Sequence, residues 1–309
     1  MVRLLLFFLL AACLCASPAG AAIEASLGDS YSSGEGAGHY DFDTKAVVGN
    51  GCHRTERAWP RLLGVPQRAH LACSGAQTAD FFVGQKNGLL AGDDDEGQLE
   101  RLRDLAESEA ISRVFVTIGG NDLGFKSIIL ACVFRTCLNH MDQVELQWLR
   151  GVVYPKTVGA LIGVRQAVGA AEVVLVGYPD VIPGIGEQLD GCRWLDPGER
   201  PRILRLERQL DAWERAAATI AGVRYVSIRG AVDGHELCTS DPWIVAINPF
   251  RKPVVQENGH PNARGQVAIA EEVARRLAAP QHPATIAGFV EAVVRFFRVS
   301  MVAGCWPWG

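Results

Sequence analysis

A serine beside glycine-rich backbone, an asparagine after a double glycine and a histidine before a proline could together cleave an ester. Ser30 lies in Leu27-Gly28-Asp29-Ser30-Tyr31-Ser32-Ser33-Gly34, directly after an apolar run that begins at Ile23. A hydroxyl is a weak nucleophile until a positioned base takes its proton. His260, in His260-Pro261-Asn262, fits that role, because imidazole titrates near neutrality and can hand the proton on to a leaving alcohol. The oxyanion formed on attack needs donors fixed in advance. The backbone N–H of Ser30, the backbone N–H of Gly75 in Cys73-Ser74-Gly75-Ala76 and the side-chain amide of Asn121 in Gly119-Gly120-Asn121-Asp122 would supply three. Taken singly, each has a plainer role as a serine-rich turn, a turn glycine, a helix-capping asparagine or a surface histidine.

Their shared placement argues otherwise. Five apolar runs read as strands: Ile23–Leu27, Ala69–Cys73, Val114–Ile118, Val173–Val176 and Val223–Ile228. Between them, helical patterns cover Ala58–Leu63, Thr78–Val83, Leu99–Leu105, a long stretch from about Val144 to Ala170 interrupted near Pro155, and Pro201–Ala221; Ala263–Ala278 follows the last strand. Strands that are apolar throughout are buried on both faces, and their alternation with helices predicts a three-layer α/β/α sandwich around a mainly parallel five-stranded sheet. In such sheets, sites form at the carboxyl ends of the strands. Ser30, Gly75, Asn121 and Tyr178 all fall just past an expected strand end.

The four blocks Gly28-Asp29-Ser30-Tyr31-Ser32, Gly75, Gly119-Gly120-Asn121-Asp122 and His260-Pro261-Asn262, in this order, resemble those of the SGNH (GDSL-type) serine hydrolases. Cys73-Ser74-Gly75-Ala76, Gly177-Tyr178-Pro179 and Gly234-His235-Glu236-Leu237-Cys238 are similar to the secreted actinobacterial esterases and lipases among them. The resemblance implies a flavodoxin-like α/β fold and a carboxylic ester hydrolase that needs no cofactor and no metal. It implies Ser30 as nucleophile, His260 as base, and an oxyanion hole of Ser30, Gly75 and Asn121. It also implies the disulfides Cys52–Cys73, Cys132–Cys137 and Cys192–Cys238. A carbohydrate O-deacetylase on the same fold, or an idle lipid- or wall-binding protein, would share the scaffold.

One position departs from the pattern. Many members carry an aspartate three residues before the histidine, where this chain has Glu257, in Glu257-Asn258-Gly259-His260. The secreted subgroup often orients its histidine with a backbone carbonyl instead. Glu257 or Asn258 is therefore the expected orienter, and a Ser–His dyad is the expected arrangement.

The totals narrow the remaining classes. At 309 residues the chain can bury a sizeable core. Its formal charge of −4 gives no basic footprint for nucleic acid. The turn Gly34-Glu35-Gly36-Ala37-Gly38 matches no phosphate-binding motif, because no Gly-Lys-Ser/Thr follows. Asp93-Asp94-Asp95-Glu96 reads as a solvated loop. Arg3, the apolar Leu4–Ala12 and Ala19-Gly20-Ala21 form an export signal over 1–21, so secretion is expected. Leu10-Ala11-Ala12-Cys13 also resembles a lipobox, whose alternative outcome is an envelope lipoprotein anchored at Cys13. An oxidising destination suits disulfides, leaving Cys305 as the odd cysteine. The hydrolase domain is expected over 22–283. A helical extension over 284–309 bears Phe289, Phe296, Phe297 and Trp306, and it either packs on the sheet or contacts a lipid surface. The expected partner is a small-molecule or lipid ester, and the expected state is a monomer.

Overall fold

The computed structural model describes residues 21–44, 51–85, 96–125, 148–187, 198–248 and 254–279, with a few single positions between 127 and 196. The export signal with Cys13, the Asp93–Asp95 run, Cys137, Cys305 and the extension over 284–309 lie outside the described residues.

Four parallel strands form the sheet in the order β1 (Ile23–Gly28), β2 (Ile111–Thr117), β3 (Glu172–Val176) and β4 (Arg224–Val226). The second of the five expected strands, Ala69–Cys73, is a correction. It lies beside the free edge of β1, where Leu71 N–H donates to Ser26 O (2.8 Å) and Cys73 N–H to Gly28 O (3.0 Å), but it makes only a single bridge, Ser26 to His70. A one-turn 3₁₀ helix over Gln67–Ala69 turns the chain in just before it, and the disulfide at Cys73 and the turn glycine Gly75 turn it out again. With this segment counted, the spatial order is that of a flavodoxin-like fold, and its switch point falls between β1 and β2.

Val114, Phe115 and Val116 of β2 and Val174, Leu175 and Val176 of β3 are almost completely buried, as continuous apolar runs require. Two helix groups cover the sheet. In one, α2 (Trp59–Leu62) packs on α7 (Ala263–Ala278); Trp59 meets Phe115 edge-on with ring centroids 5.3 Å apart, and its backbone N–H donates to Gln266 Oε1 (2.9 Å). In the other, α3 (Gln98–Ser108), α5 (Tyr154–Val168) and α6 (Arg200–Ala221) pack in succession. The expected interruption near Pro155 is instead a π-helical turn, Leu149–Val153, running directly into α5. Tyr154 N–H still reaches back to Leu149 O, but Pro155, the second residue of α5, has no N–H to continue that ladder.

Cys52–Cys73 and Cys192–Cys238 are disulfide-bonded as the resemblance implies, and Cys132 is disulfide-bonded too. Cys52–Cys73 closes a span of 21 residues and both half-cystines are fully buried. Replacing both by alanine is expected to cost about 3 kcal/mol, because a loop of this length loses that much constraint on the unfolded chain. Urea unfolding of the double variant beside the parent checks this, with a change within 0.5 kcal/mol as the contrary result.

Candidate active site

The site is assembled at the switch point, beginning with the way β1 ends. Gly28 has φ +132°, and a Cβ there would stand 2.2 Å from the Thr117 carbonyl oxygen of β2. Only glycine can end the strand so close to its neighbour. The buried Gln98 fixes this residue from both sides, accepting from Gly28 N–H (2.8 Å) and donating to Gly28 O (2.9 Å). The chain then turns into the one-turn helix α1 (Ser30–Ser33), capped by Asp29 Oδ1, which accepts from Tyr31 N–H (3.0 Å).

Asp29 does more than cap. Its Oδ2 accepts from the Tyr178 hydroxyl (2.5 Å), whose oxygen accepts from Gly120 N–H (3.0 Å). This string ties together the carboxyl ends of β1, β2 and β3. Burial pushes the Asp29 carboxyl up to about 7, outweighing the opposite pull of the Tyr178 hydroxyl and the Tyr31 N–H.

Ser30 follows the cap and is 5% exposed. Its Oγ stands 2.7 Å from His260 Nε2. His260 comes from the loop before α7, where Val245 N–H donates to His260 O (2.8 Å) and Gly259 N–H to Val245 O (2.9 Å). The Tyr31 hydroxyl donates to Gly259 O (2.9 Å), so the residue after the serine holds the backbone before the histidine. Asn262 caps α7 by accepting from Arg264 and Gly265 N–H (2.9 and 3.2 Å).

Gly75 and Asn121 meet on the other side of Ser30. Gly75 takes φ +83° in the turn after the edge segment. Asn121, in the one-turn helix α4 (Gly120–Leu123), donates from Nδ2 to Ala76 O (3.0 Å), and this bond aims the carboxamide. Because Nδ2 carries two hydrogens, one remains for a ligand. The neighbouring Asp122 accepts from both Thr78 N–H (2.8 Å) and the Thr78 hydroxyl (2.7 Å), fastening the Gly75 turn to α4. Ser30, Gly75, Asn121 and His260 all line one cavity of about 910 Å³, which Phe125, Val181, Leu210, Leu237 and Ile247 make apolar in part.

The side chains of Glu257 and Asn258 are both engaged close to the histidine. The Glu257 carboxylate accepts from the Tyr40 hydroxyl (2.7 Å), and its main-chain oxygen accepts from His260 N–H (3.1 Å). The Asn258 side chain donates to Asn248 O (3.1 Å). Among the described residues no His/Cys/Asp/Glu group could hold a metal ion.

Sequence reasoning missed the Asp29–Tyr178–Gly120 string and the buried polar cluster around Glu35. Tyr178 stands after a strand end in Gly177-Tyr178-Pro179, a placement that points to the site but not to its partner. Glu35 reads as one more residue of a glycine turn, yet it is 0% exposed.

Ser30 after the first strand, His260 on its hydroxyl and the Gly75 and Asn121 turns beside them thus line one cavity at the carboxyl edge of an α/β sheet. The chain belongs to the GDSL-like lipase/acylhydrolase family, whose profile matches residues 26–268, and it is a carboxylic ester hydrolase. It is 30% identical over 259 residues to Lipase 1 of Streptomyces coelicolor, covering 81% of this chain and 85% of that one. Among solved structures it is similar to an extracellular lipase from Streptomyces rimosus (26% identity, TM-score 0.67, 84% of this chain and 100% of the other). It is also similar to a phospholipase A1 from Streptomyces albidoflavus NA297 (26% identity, TM-score 0.64, 84% of this chain and 99% of the other).

Proposed function

We propose that the protein is a secreted esterase or lipase that cleaves lipid or other acyl esters through an acyl-serine intermediate. The observation that carries this reading is the 2.7 Å contact between Ser30 Oγ and His260 Nε2 on the wall of a partly apolar cavity. His260 Nε2 takes the hydroxyl proton as Ser30 Oγ bonds to the ester carbonyl carbon. The carbonyl oxygen becomes an oxyanion facing the Ser30 N–H, the Gly75 N–H and the free amide hydrogen of Asn121. Collapse breaks the bond to the alcohol oxygen, which leaves with the proton from His260. Water then attacks the acyl-serine by the same route, giving the acid and restoring Ser30.

His260 works here in a dyad with Ser30. The Glu257 carboxylate is engaged by Tyr40, and its main-chain oxygen helps set the histidine backbone. Export is supported by the amino-terminal signal pattern and by the extracellular lipase of Streptomyces rimosus. No helix among the described residues is long and apolar enough to cross a membrane. The extension over 284–309 either packs on the sheet or contacts a lipid surface, and only in the second case is its deletion expected to lower activity on lipid dispersions far more than on soluble short-chain esters.

The test is reaction with an alkyl fluorophosphonate followed by peptide mapping, beside a series of p-nitrophenyl esters of increasing chain length, a phospholipid and an acetylated sugar. The expected result is a single adduct on Ser30 and turnover that favours acyl chains longer than acetate. Folded protein that resists labelling would overturn the serine mechanism. Turnover confined to the acetylated sugar would reassign the substrate to carbohydrate.

A further inference from the structure

The hydrogen bonds around Glu35 point to a function for it at the same site. We propose that the Glu35 carboxylate supplies, as a positioning residue, the negative charge that supports the protonated His260 during turnover, while locking the Gly75 turn against the His260 loop. This rests on the reading of Ser30 and His260 as the reacting pair.

The carboxylate is completely buried, yet two of its partners, Ser74 and Gln256, line the active-site cavity. Ser74, beside Gly75, donates from Oγ to Oε2 (2.7 Å). Gln256, from the 3₁₀ turn before His260, donates from Nε2 to the same oxygen (3.0 Å) and to Ser74 Oγ (3.1 Å). His53 Nδ1 stands 2.8 and 3.0 Å from the two oxygens. An ionised carboxylate only accepts, so that nitrogen carries the hydrogen. His53 holds φ +49°, an uncommon backbone conformation for a histidine. It follows Cys52, whose disulfide partner Cys73 precedes Ser74, so two covalently joined strands of chain converge on one carboxylate. Tyr40 stacks on the His53 ring (centroids 4.3 Å apart), donates to Glu257 and lies 3.3 Å from Glu35 Oε1.

The turn that carries Glu35 also lies against the histidine. A Cβ added at the next residue, Gly36, would stand 3.1 Å from His260 Cβ and 2.8 Å from Pro261 O. Burial, the largest single influence, pushes the Glu35 carboxyl up. The hydrogen bond from His53, the positive charges that His260 and His53 carry when protonated and the Ser74 hydroxyl nevertheless hold it below the usual carboxylate range. Ser30 Oγ and the Tyr31 ring face His260 directly, Glu35 precedes the Gly36 that lies against its Cβ, and Glu257 shares its loop; the carboxyls of Asp29, Asp80, Asp180, Glu207, Asp211 and Glu214 are on residues that line the same cavity. Of the two carboxylates on the near side, Glu257 is half covered and bonded to Tyr40, whereas Glu35 is buried, where a charge acts over distance with least screening.

The test compares the acid limb of the kcat/KM profile in the parent, Glu35→Gln, Glu35→Asp and Glu257→Gln. Losing a nearby negative charge makes the imidazolium easier to deprotonate, so Glu35→Gln is expected to move the acid limb down by about one pH unit and to lower plateau kcat about tenfold. Glu35→Asp, which keeps the charge, and Glu257→Gln are expected to leave the limb within about 0.2 unit of the parent. An unmoved limb in folded Glu35→Gln, or an equal shift in Glu257→Gln, overturns the proposal. Coupling is reciprocal, so His260→Ala must raise the titration midpoint of the Glu35 carboxyl, read by carbon-13 NMR. That measurement needs no substitution at Glu35, and a midpoint that does not rise overturns the proposal equally. Failure of the parent enzyme to label at Ser30 would instead fall on the Ser30–His260 reading itself.

Discussion

Ser30→Ala and His260→Ala are each expected to lower kcat on a p-nitrophenyl ester by about 10⁴-fold or more, with the double variant no slower than the slower single one. The non-additivity follows from the geometry. With Ser30 Oγ and His260 Nε2 only 2.7 Å apart, each group is useful in proton transfer only through the other. Removing the hydroxyl leaves a base with nothing to activate except water, and removing the imidazole leaves a hydroxyl that must lose its proton to solvent. The remaining rate comes from the donors at Gly75 and Asn121, which neither substitution touches. Stability should change little in either case, because Ser30 makes no side-chain bond essential to α1 and the His260 backbone is held through its main chain by Val245. Steady-state kinetics together with thermal unfolding separate the two effects. Losses below tenfold at either residue, in protein that unfolds like the parent, would contradict the assignment.

How far the sequence revealed this site depends on how local the signals are. Ser30 and Asn121 each follow a strand end and come two residues after a positive-φ glycine, Gly28 and Gly119, and Gly75 is itself such a glycine, a constraint written into a few consecutive residues. Helix α7 begins and ends at the expected residues, because Asn262 supplies the cap and the apolar positions keep helical spacing. The edge segment Ala69–Cys73 misled for the opposite reason. An apolar run shows that a stretch is buried, but only its neighbours decide whether it pairs along its length, and here the chain departs after one bridge. The π-turn before α5 likewise has no local signature beyond Pro155. The Glu35 cluster is the extreme case. Apart from Tyr40, its partners come from positions 53, 74 and 256, so almost nothing near Glu35 in the chain distinguishes a buried carboxylate from a solvated one. Folding makes that charge tolerable by surrounding it with donors, and only the folded chain shows it.

Asn121→Ala is expected to lower kcat by about 10²–10³-fold with KM nearly unchanged, the loss typical of a single oxyanion donor. The carboxamide makes one bond that the structure shows, to Ala76 O, and losing it should cost only about 1 kcal/mol of stability. A residue that merely fastened the Gly75 turn would show the reverse proportion, a clear fall in stability with a small effect on turnover. The turn does not depend on Asn121 for its position, since Asp122 holds Thr78 through two bonds and the Cys52–Cys73 disulfide anchors its start. Asn121→Asp sharpens the comparison. Its nearly identical shape loses both donor hydrogens, and when ionised it sets a negative charge where another must form. It should therefore be slower than Asn121→Ala at neutral pH. If Asn121→Asp matched the parent, or Asn121→Ala lost affinity without losing kcat, the amide would be binding the ester in its ground state and not the oxyanion.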